Sequence, residues 1–254
     1  MTTDLSVLKR RLGTAPADHA AQSLRYGAPV ARGRVAGALV SAAMIVGVSL
    51  TGCSSTPPVP DWQMNAHGAV HKATQAYLAG NSRVELLEWK HARAEVGRTG
   101  RVGLLARVEL TRCAAQVASL DPAPCDRFEA LRPDAPEAER TYADYLAGRP
   151  VASAIAHLPE AQRAVASTGN AATLAAIKDP LSRLVAAGVL FRTGAASPAV
   201  ASIAVDTASE QGWRRPLMAW LALEAQRAQA AGEVDVAAAL RRRIAVVEDS
   251  VGKR

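Results

Sequence analysis

The stretch Ala106–Leu120, "ARVELTRCAAQVASL", carries the clearest fold signal in this chain. Its apolar residues recur at spacings of four and three, which places them along one side of an α-helix. These residues are Ala106, Leu110, Cys113, Val117 and Leu120. We therefore predict a helix here whose apolar side packs into a core.

The same periodicity appears in two later parts of the chain. The first set is Leu174, Ile177, Leu181 and Leu184, and the second is Ala237, Leu240, Ile244, Val247 and Val251. Alanine is abundant, aromatic residues make up only 4% of the chain, and β-branched residues seldom alternate with polar ones. This composition favours helices over sheets. We predict an all-α protein built from antiparallel helical hairpins.

Capping residues divide the chain into separate helices. Asn81 before Ser82, Asp134 with Pro136 and Glu137, and Asp179 before Pro180 are typical helix starts. Together with the apolar spacing they predict helices at 62–79, 83–97, 102–119, 126–131, 135–147, 151–167, 171–178, 180–192, 198–209, 214–231 and 234–249. The connections between them are short.

The segment "YLAGNSRVELLEWKHARAEV" (77–96) resembles the turn and second helix of a tetratricopeptide repeat. Gly80 stands where that family ends its first helix, and Trp89 and Ala92 stand at its packing positions. Ala73 matches its small site between paired helices. The resemblance implies a stack of helical hairpins, that is, an α-solenoid.

The segment "QAAGEVDVAAALRRRIAVVED" (229–249) is similar to the same repeat, through a second set of residues: Ala225, Gly232, Ala237, Leu240 and Ile244. The pattern is incomplete, because Glu85 occupies the usual small site of the first copy and Arg241 the large site of the last. No fixed period of 34 residues links the copies. A tetratricopeptide-like solenoid and an irregular helical bundle therefore both remain open.

An uncharged, apolar run at 35–50 follows Arg32 and Arg34. A basic flank before about sixteen apolar residues is typical of a secretory signal, and the run is short for a membrane span. The run ends in Leu50-Thr51-Gly52-Cys53, which resembles the lipobox of bacterial lipoproteins. The alternative is a transmembrane anchor that happens to end in cysteine.

The lipobox resemblance implies cleavage between Gly52 and Cys53, with a diacylglycerol on the Cys53 sulfur and an acyl chain on its new amino group. Several acyl chains give durable anchoring, which one chain does not. Residues 1–52 would then be the signal segment. The 34 residues before the apolar run are long for a signal n-region, so we expect that the first 29 residues are either not translated, with a start at Val30, or removed with the signal.

After the cysteine, residues 53–61 are polar and proline-rich, which predicts a flexible tether before a helical domain at 62–254. Ser54, rather than aspartate, follows Cys53, and by analogy with enterobacterial sorting this favours the outer membrane over the inner one. The mature chain also resembles uncharacterised proteobacterial lipoproteins, a resemblance that implies no activity.

The charge balance argues against nucleic acid as a partner. The chain holds 30 basic and 23 acidic residues, of which six and two lie in residues 1–52. The remaining 24 and 21 give the mature chain a net charge of +3. That excess is too small for a nucleic-acid-binding domain.

Cys113 and Cys125 form an even pair once Cys53 is acylated, and in an oxidising compartment they are expected to form a disulfide. A helical stretch from Cys113 followed by the extended "DPAPC" allows the two residues to meet. The alternative is two buried thiols.

Three histidines are weak candidates for a metal site. His67 and His71 are four residues apart on a predicted helix, and His91 could approach if that helix pairs with the next one. Their more ordinary interpretation is surface histidines, so we predict no metal and no cofactor apart from the covalent lipid.

Other features indicate structure rather than chemistry. "GRTGRVG" (97–103) lacks the lysine-serine ending of a P-loop, which favours an interhelical turn over an anion site. "RRR" (241–243) is expected to face solvent, and Trp62, Trp213 and Trp220 are expected to pack. The chain carries none of the Gly-x-Ser-x-Gly, His-Glu-x-x-His or Cys-x-x-Cys motifs.

We therefore predict a non-catalytic, lipid-anchored adaptor on the periplasmic side of the outer membrane, which binds an envelope protein or a peptide. The alternative is an envelope enzyme, or enzyme regulator, acting on cell-wall or lipid material, which predicts a pocket with a carboxylate or histidine of perturbed pKa. A small-ligand carrier would need an apolar cavity. The sequence leaves the oligomeric state open.

Overall fold

The computed structural model describes residues 59–250, and this part of the chain is helical throughout, without β-strands. The predicted signal segment 1–52, Cys53, most of the tether and Val251 lie outside the described residues. None of the described helices is both long and apolar enough to cross a lipid bilayer.

The helices are numbered in chain order. The first six are α1 (Asp61–Ala79), α2 (Ser82–Gly97), α3 (Val102–Ala118), α4 (Asp126–Glu129), α5 (Glu137–Leu146) and α6 (Glu160–Thr168). The others are α7 (Ala171–Ala175), α8 (Pro180–Arg192), α9 (Pro198–Glu210), α10 (Arg214–Ala230) and α11 (Val234–Asp249). Short 3₁₀ helices occupy Arg132–Asp134 and Ala152–His157. The predicted all-α class is confirmed.

Local capping explains why several helices begin where the sequence predicted. The Asn81 side chain accepts a hydrogen bond from Val84 N, and the Asp179 side chain accepts one from Ser182 N. Each satisfies an N–H group that the first turn leaves without a helical partner. Asp134 does not act in this way, because it ends a 3₁₀ helix and Pro136 precedes α5.

One predicted helix is wrong as a continuous element. The stretch 151–167 is a 3₁₀ helix followed by α6, and the break falls at Leu158 and Pro159. Leu158 has an extended backbone, with ψ of 154°. A proline disfavours the helical conformation in the residue before it, and it lacks the N–H that would continue the helix.

Two of the three predicted apolar stripes are buried. Ala106, Leu110, Cys113 and Val117 are all at most 5% exposed, and Leu120 lies just beyond the end of α3. The stripe from Leu174 to Leu184 is also buried, although it is divided between α7 and α8. In α11 only Ala237 is fully buried. Leu240, Ile244 and Val247 are partly buried and pack against the core, so this last helix contacts the bundle along a narrow stripe.

The helices form a closed arrangement around α3 and α8. Helix α3 packs on α8, α8 on α9, and α9 on α10, and α10 returns to pack on α1, which itself packs on α3. In a solenoid each repeat would touch only its neighbours in sequence. Of the two predicted arrangements, the contacts match the irregular helical bundle.

Helices α3 and α8 approach each other closely at Gly188. A Cβ atom at this position would lie 2.8 Å from the carbonyl carbon of Val117. Since real Cβ atoms do not approach backbone this closely, only glycine fits here. The contact joins the two central helices backbone to backbone.

Candidate functional site

The described residues form a mainly apolar cleft of about 300 Å³ beside the turn after α5. We call it the α5–α8 cleft. Its lining consists of Tyr145, Gly148, Arg149, Pro150, Val151, Ala152, Val165, Ala166, Gly169, Val189, Leu190, Thr193 and Ala195. Its volume lies at the lower end of the range of small-ligand sites.

A buried hydrogen-bond network fixes the helices behind the cleft. The Tyr145 hydroxyl donates to the Gln162 side-chain oxygen at 2.9 Å, and the Gln162 amide donates to the Ser182 carbonyl at 3.0 Å. This network joins α5, α6 and α8. Because Gln162 is fully buried, its satisfied amide stabilises one arrangement of these helices.

Two arginines bind the segments next to the cleft, and of the two only Arg149 belongs to its lining. Arg192 donates to the carbonyls of Asp121 and Leu146, and so ties the end of α8 to the segment after α3 and to the last residue of α5. Burial lowers the pKa of Arg192, and nearby Asp121 opposes this effect. Arg149 is more exposed and pairs with Asp144 at 2.9 Å.

The cleft is lined mainly by apolar side chains. Its walls present Val151, Val165, Val189 and Leu190, and the Thr193 hydroxyl donates within its own helix. The one guanidinium, that of Arg149, stands at the rim. Such a lining suits an apolar side chain of a partner.

A second polar feature lies between α2 and α3, and we call it the charged seam. It consists of two ion pairs: Arg112 Nε lies 3.8 Å from Glu85 Oε1, and Arg93 Nη1 lies 3.5 Å from Glu109 Oε1. Both carboxylates are nearly inaccessible to solvent. Burial raises the pKa values of Glu85 and Glu109, while Arg112 and Arg93 respectively oppose this effect.

The charged seam continues into the contact between α1 and α10. Arg215 donates to the Tyr77 carbonyl at 2.8 Å, and its guanidinium lies 4.3 Å from the centre of the Tyr77 ring. The Tyr77 hydroxyl donates to Asp121. Burial, followed by the charge of Asp121, raises the Tyr77 pKa. These contacts hold the first hairpin against the rest of the bundle.

The structure joins Cys113 and Cys125 as a disulfide, with their Cα atoms 5.8 Å apart. It connects the buried side of α3 to the residue just before α4. Cys113 itself is 5% exposed.

The predicted metal candidates do not assemble into a complete ligand set. His67 and His71 lie half-buried on α1, whereas His91 is exposed on α2, with Glu95 at 3.5 Å. Within residues 59–250, no group of three histidine, cysteine or acidic residues is placed to hold a metal ion.

The remaining sequence candidates have local structural roles. The segment 97–103 includes the turn between α2 and α3, at residues 98–101. In this turn the Thr99 hydroxyl donates to the Val96 carbonyl and accepts from Arg101 N. Trp213 and Trp220 are buried and Trp62 is half-buried. The three arginines at 241–243 are exposed.

The cleft and most of the charged seam were not predicted from the sequence. The one signal for the seam was Glu85, a carboxylate at a position where the repeat pattern has a small residue. The cleft carried no motif, because its lining comes from three separated segments.

Comparison with protein-family models, with curated proteins and with solved structures finds no significant match to this chain.

Proposed function

We propose that this protein is a lipid-anchored adaptor of the cell envelope, on the periplasmic side of the outer membrane, that binds a partner protein or peptide in the α5–α8 cleft. The observation that carries the proposal is the open apolar cleft with a fixed floor. A preformed cleft of this kind limits the ordering cost of binding. An extended segment with one apolar side chain would fit its size.

The anchor would restrict the protein to the membrane and raise its local concentration there. The first described helix begins at Asp61, eight residues after Cys53. A tether of this length spans at most about 27 Å. Weak contacts in the cleft would then suffice for function, because binding to membrane-bound partners becomes effectively intramolecular.

The test is site-specific photocrosslinking in the native envelope. A photoreactive amino acid replaces Ala152, an exposed residue of the cleft rim, or Ala239, an exposed residue of α11. We expect a defined adduct from position 152 that position 239 does not give, and we expect Cys53→Ala to weaken it.

A cleft-filling variant provides the matched comparison. Ala166→Trp fills the cleft from α6, whereas Ala164→Trp places the same side chain on the exposed part of that helix. The adduct should disappear in the first variant and persist in the second, with melting temperatures measured for both. Adducts that survive Ala166→Trp in a folded protein would remove the cleft from the proposal.

The alternative of an envelope enzyme or enzyme regulator draws on one specific observation, the raised pKa values of Glu85 and Glu109. Both carboxylates lie in ion pairs between helices, which favours a structural role. A loss of any detected hydrolytic activity in Glu109→Gln, without a loss of stability, would favour the alternative.

A further inference from the structure

Helix α2 exposes an unusual combination of side chains. Val84, Leu86 and Leu87 are 38%, 56% and 64% exposed, although each is a large apolar residue. Arg83 and Lys90 are exposed on the same helix. We call these five residues the α2 face.

The α2 face is one continuous side of the helix. At 100° per residue, its members fall within an arc of about 160° opposite the buried Trp89 and Ala92. Leu87 lies near the middle of the arc, between Arg83 and Val84, and Leu86 lies at its edge. Helix α2 therefore has apolar residues on two sides. One side packs in the core, and the other is exposed and also carries basic side chains.

No acidic residue of α2 is exposed. Glu85 and Glu95 are buried, and Glu88 is half-buried near His91. The exposed charge of the first hairpin and of the turn after it is basic everywhere except at Asp61. Within residues 61–101 the exposed basic residues are Lys72, Arg83, Lys90, Arg98 and Arg101, whereas the only exposed acidic residue is Asp61.

Helix α11 provides a contrast within the same protein. Its Val234, Val236 and Val246 are at least 50% exposed. However, exposed acidic residues lie among them, including Asp235 and Glu248. Exposed apolar groups alone therefore do not distinguish α2; their combination with uniformly basic charge does.

We propose that the α2 face lies on the surface of an anionic phospholipid bilayer, with its leucines in the headgroup region and Arg83 and Lys90 on lipid phosphates. Interfacial helices combine apolar and basic groups in this way, and an anionic bilayer attracts each nearby basic side chain. The uniform charge selects this partner. The inference rests on the proposed anchor at Cys53, which keeps the first hairpin close to the membrane.

The test is a fluorescent reporter on the full, processed protein in vesicles. Leu87→Cys carries an environment-sensitive dye, and Val246→Cys carries the same dye on α11. Acylation of Cys53 and the Cys113–Cys125 disulfide leave the introduced thiol as the labelling site. The vesicles contain phosphatidylcholine with or without phosphatidylglycerol, and some also carry a lipid-borne quencher.

We expect a blue shift and lipid quenching at position 87 in the anionic vesicles, and neither effect at position 246. The double variant Arg83→Gln with Lys90→Gln loses two basic contacts with lipid. The ratio of reporter in contact with lipid to reporter free in solution should therefore fall roughly thirtyfold. Arg241→Gln with Arg242→Gln, on exposed residues of α11, should leave it unchanged. Added salt should weaken the contact.

Failure of this inference and failure of the anchor are distinguishable, because the mass of the protein reports the state of Cys53 separately. Lipid contact at position 87 in a protein without acyl chains would retain the inference and reject the anchor. An absence of contact at position 87 in anionic vesicles, or equal contact at positions 87 and 246, would overturn the inference and leave the α2 face for a protein partner.

Discussion

Gly188 is the residue whose side chain, or lack of one, most directly sets the packing of the molecule. It lies in the middle of α8, where glycine normally weakens a helix, yet the Val117 backbone leaves no space for a Cβ atom. Glycine therefore weakens α8 locally, but it permits the close approach of α3 and α8.

Gly188→Ala should lower the free energy of unfolding by about 1–3 kcal/mol, as is usual for overpacking in a core. Gly68→Ala is the matched control, because Gly68 is also helical and a Cβ there would meet nothing within 4 Å. The control should gain about 0.5–1 kcal/mol from helix propensity. Urea denaturation measures both, and an equal response would contradict the proposed packing.

Glu109 predicts a pH dependence of stability. Burial raises the pKa of its carboxyl in the folded protein above the ordinary value of 4.5. The folded state therefore binds this proton more tightly than the unfolded chain does. The resulting stabilisation is fully present below 4.5 and is lost as the pH rises through the folded pKa.

The difference in unfolding free energy between wild type and Glu109→Gln should accordingly shift in favour of wild type as the pH falls from 7 to 4.5. Glu129→Gln is the control, because hydrogen bonding from Arg132 lowers the Glu129 pKa and moves its window below 4.5. Its difference from wild type should stay constant over the same range. A shift of the opposite sign for Glu109 would mean that Arg93 outweighs burial.

At the scale of the elements, the disulfide between α3 and the start of α4 is the main covalent constraint. Cys113 and Cys125 are separated by 12 positions in sequence. In the loop-entropy model, a bridge of this span stabilises by about 3 kcal/mol. Cys113→Ala with Cys125→Ala should lose most of this, as measured by urea denaturation.

The mass of the native protein before and after reduction and alkylation checks the same bond. We expect no free thiol at Cys113 or Cys125 until a reductant is added. Alkylation of both residues in the unreduced native protein would contradict the bridge.

Helix α10 is the element that closes the bundle. Trp220 is fully buried and its indole N–H donates to the Ala118 carbonyl of α3 at 3.0 Å, while Arg215 binds the end of α1. Trp220→Ala should cost about 3–5 kcal/mol. Hydrogen exchange should then accelerate in α1 as well as in α10, whereas an effect confined to α10 and α11 would indicate an open stack.

The boundaries of the elements were largely predictable because their causes are local. Asn81 and Asp179 cap helices through residues three positions away, and apolar spacing reports burial within one helix. The break at Pro159 was missed although its cause is equally local.

At the scale of the whole molecule, the features that were not predicted are those that depend on contacts between residues far apart in sequence. The return of α10 to α1 decides between a solenoid and a bundle, and it rests on contacts such as that of Trp213 with Gln75, 138 positions apart. The α5–α8 cleft likewise forms only when three segments assemble. A single sequence gives no signal for such contacts.

Both proposals about function place the protein at the membrane through one claim, that the chain is anchored through an acylated Cys53. The most direct measurement is the mass of the N-terminal peptide of the protein purified from the membranes of its own cells. We expect a mature chain that begins at Cys53 and carries a diacylglycerol and an N-acyl chain. The Cys53→Ala variant should give no acylated N-terminal peptide. An unmodified Cys53, or a mature chain that begins elsewhere, would contradict it.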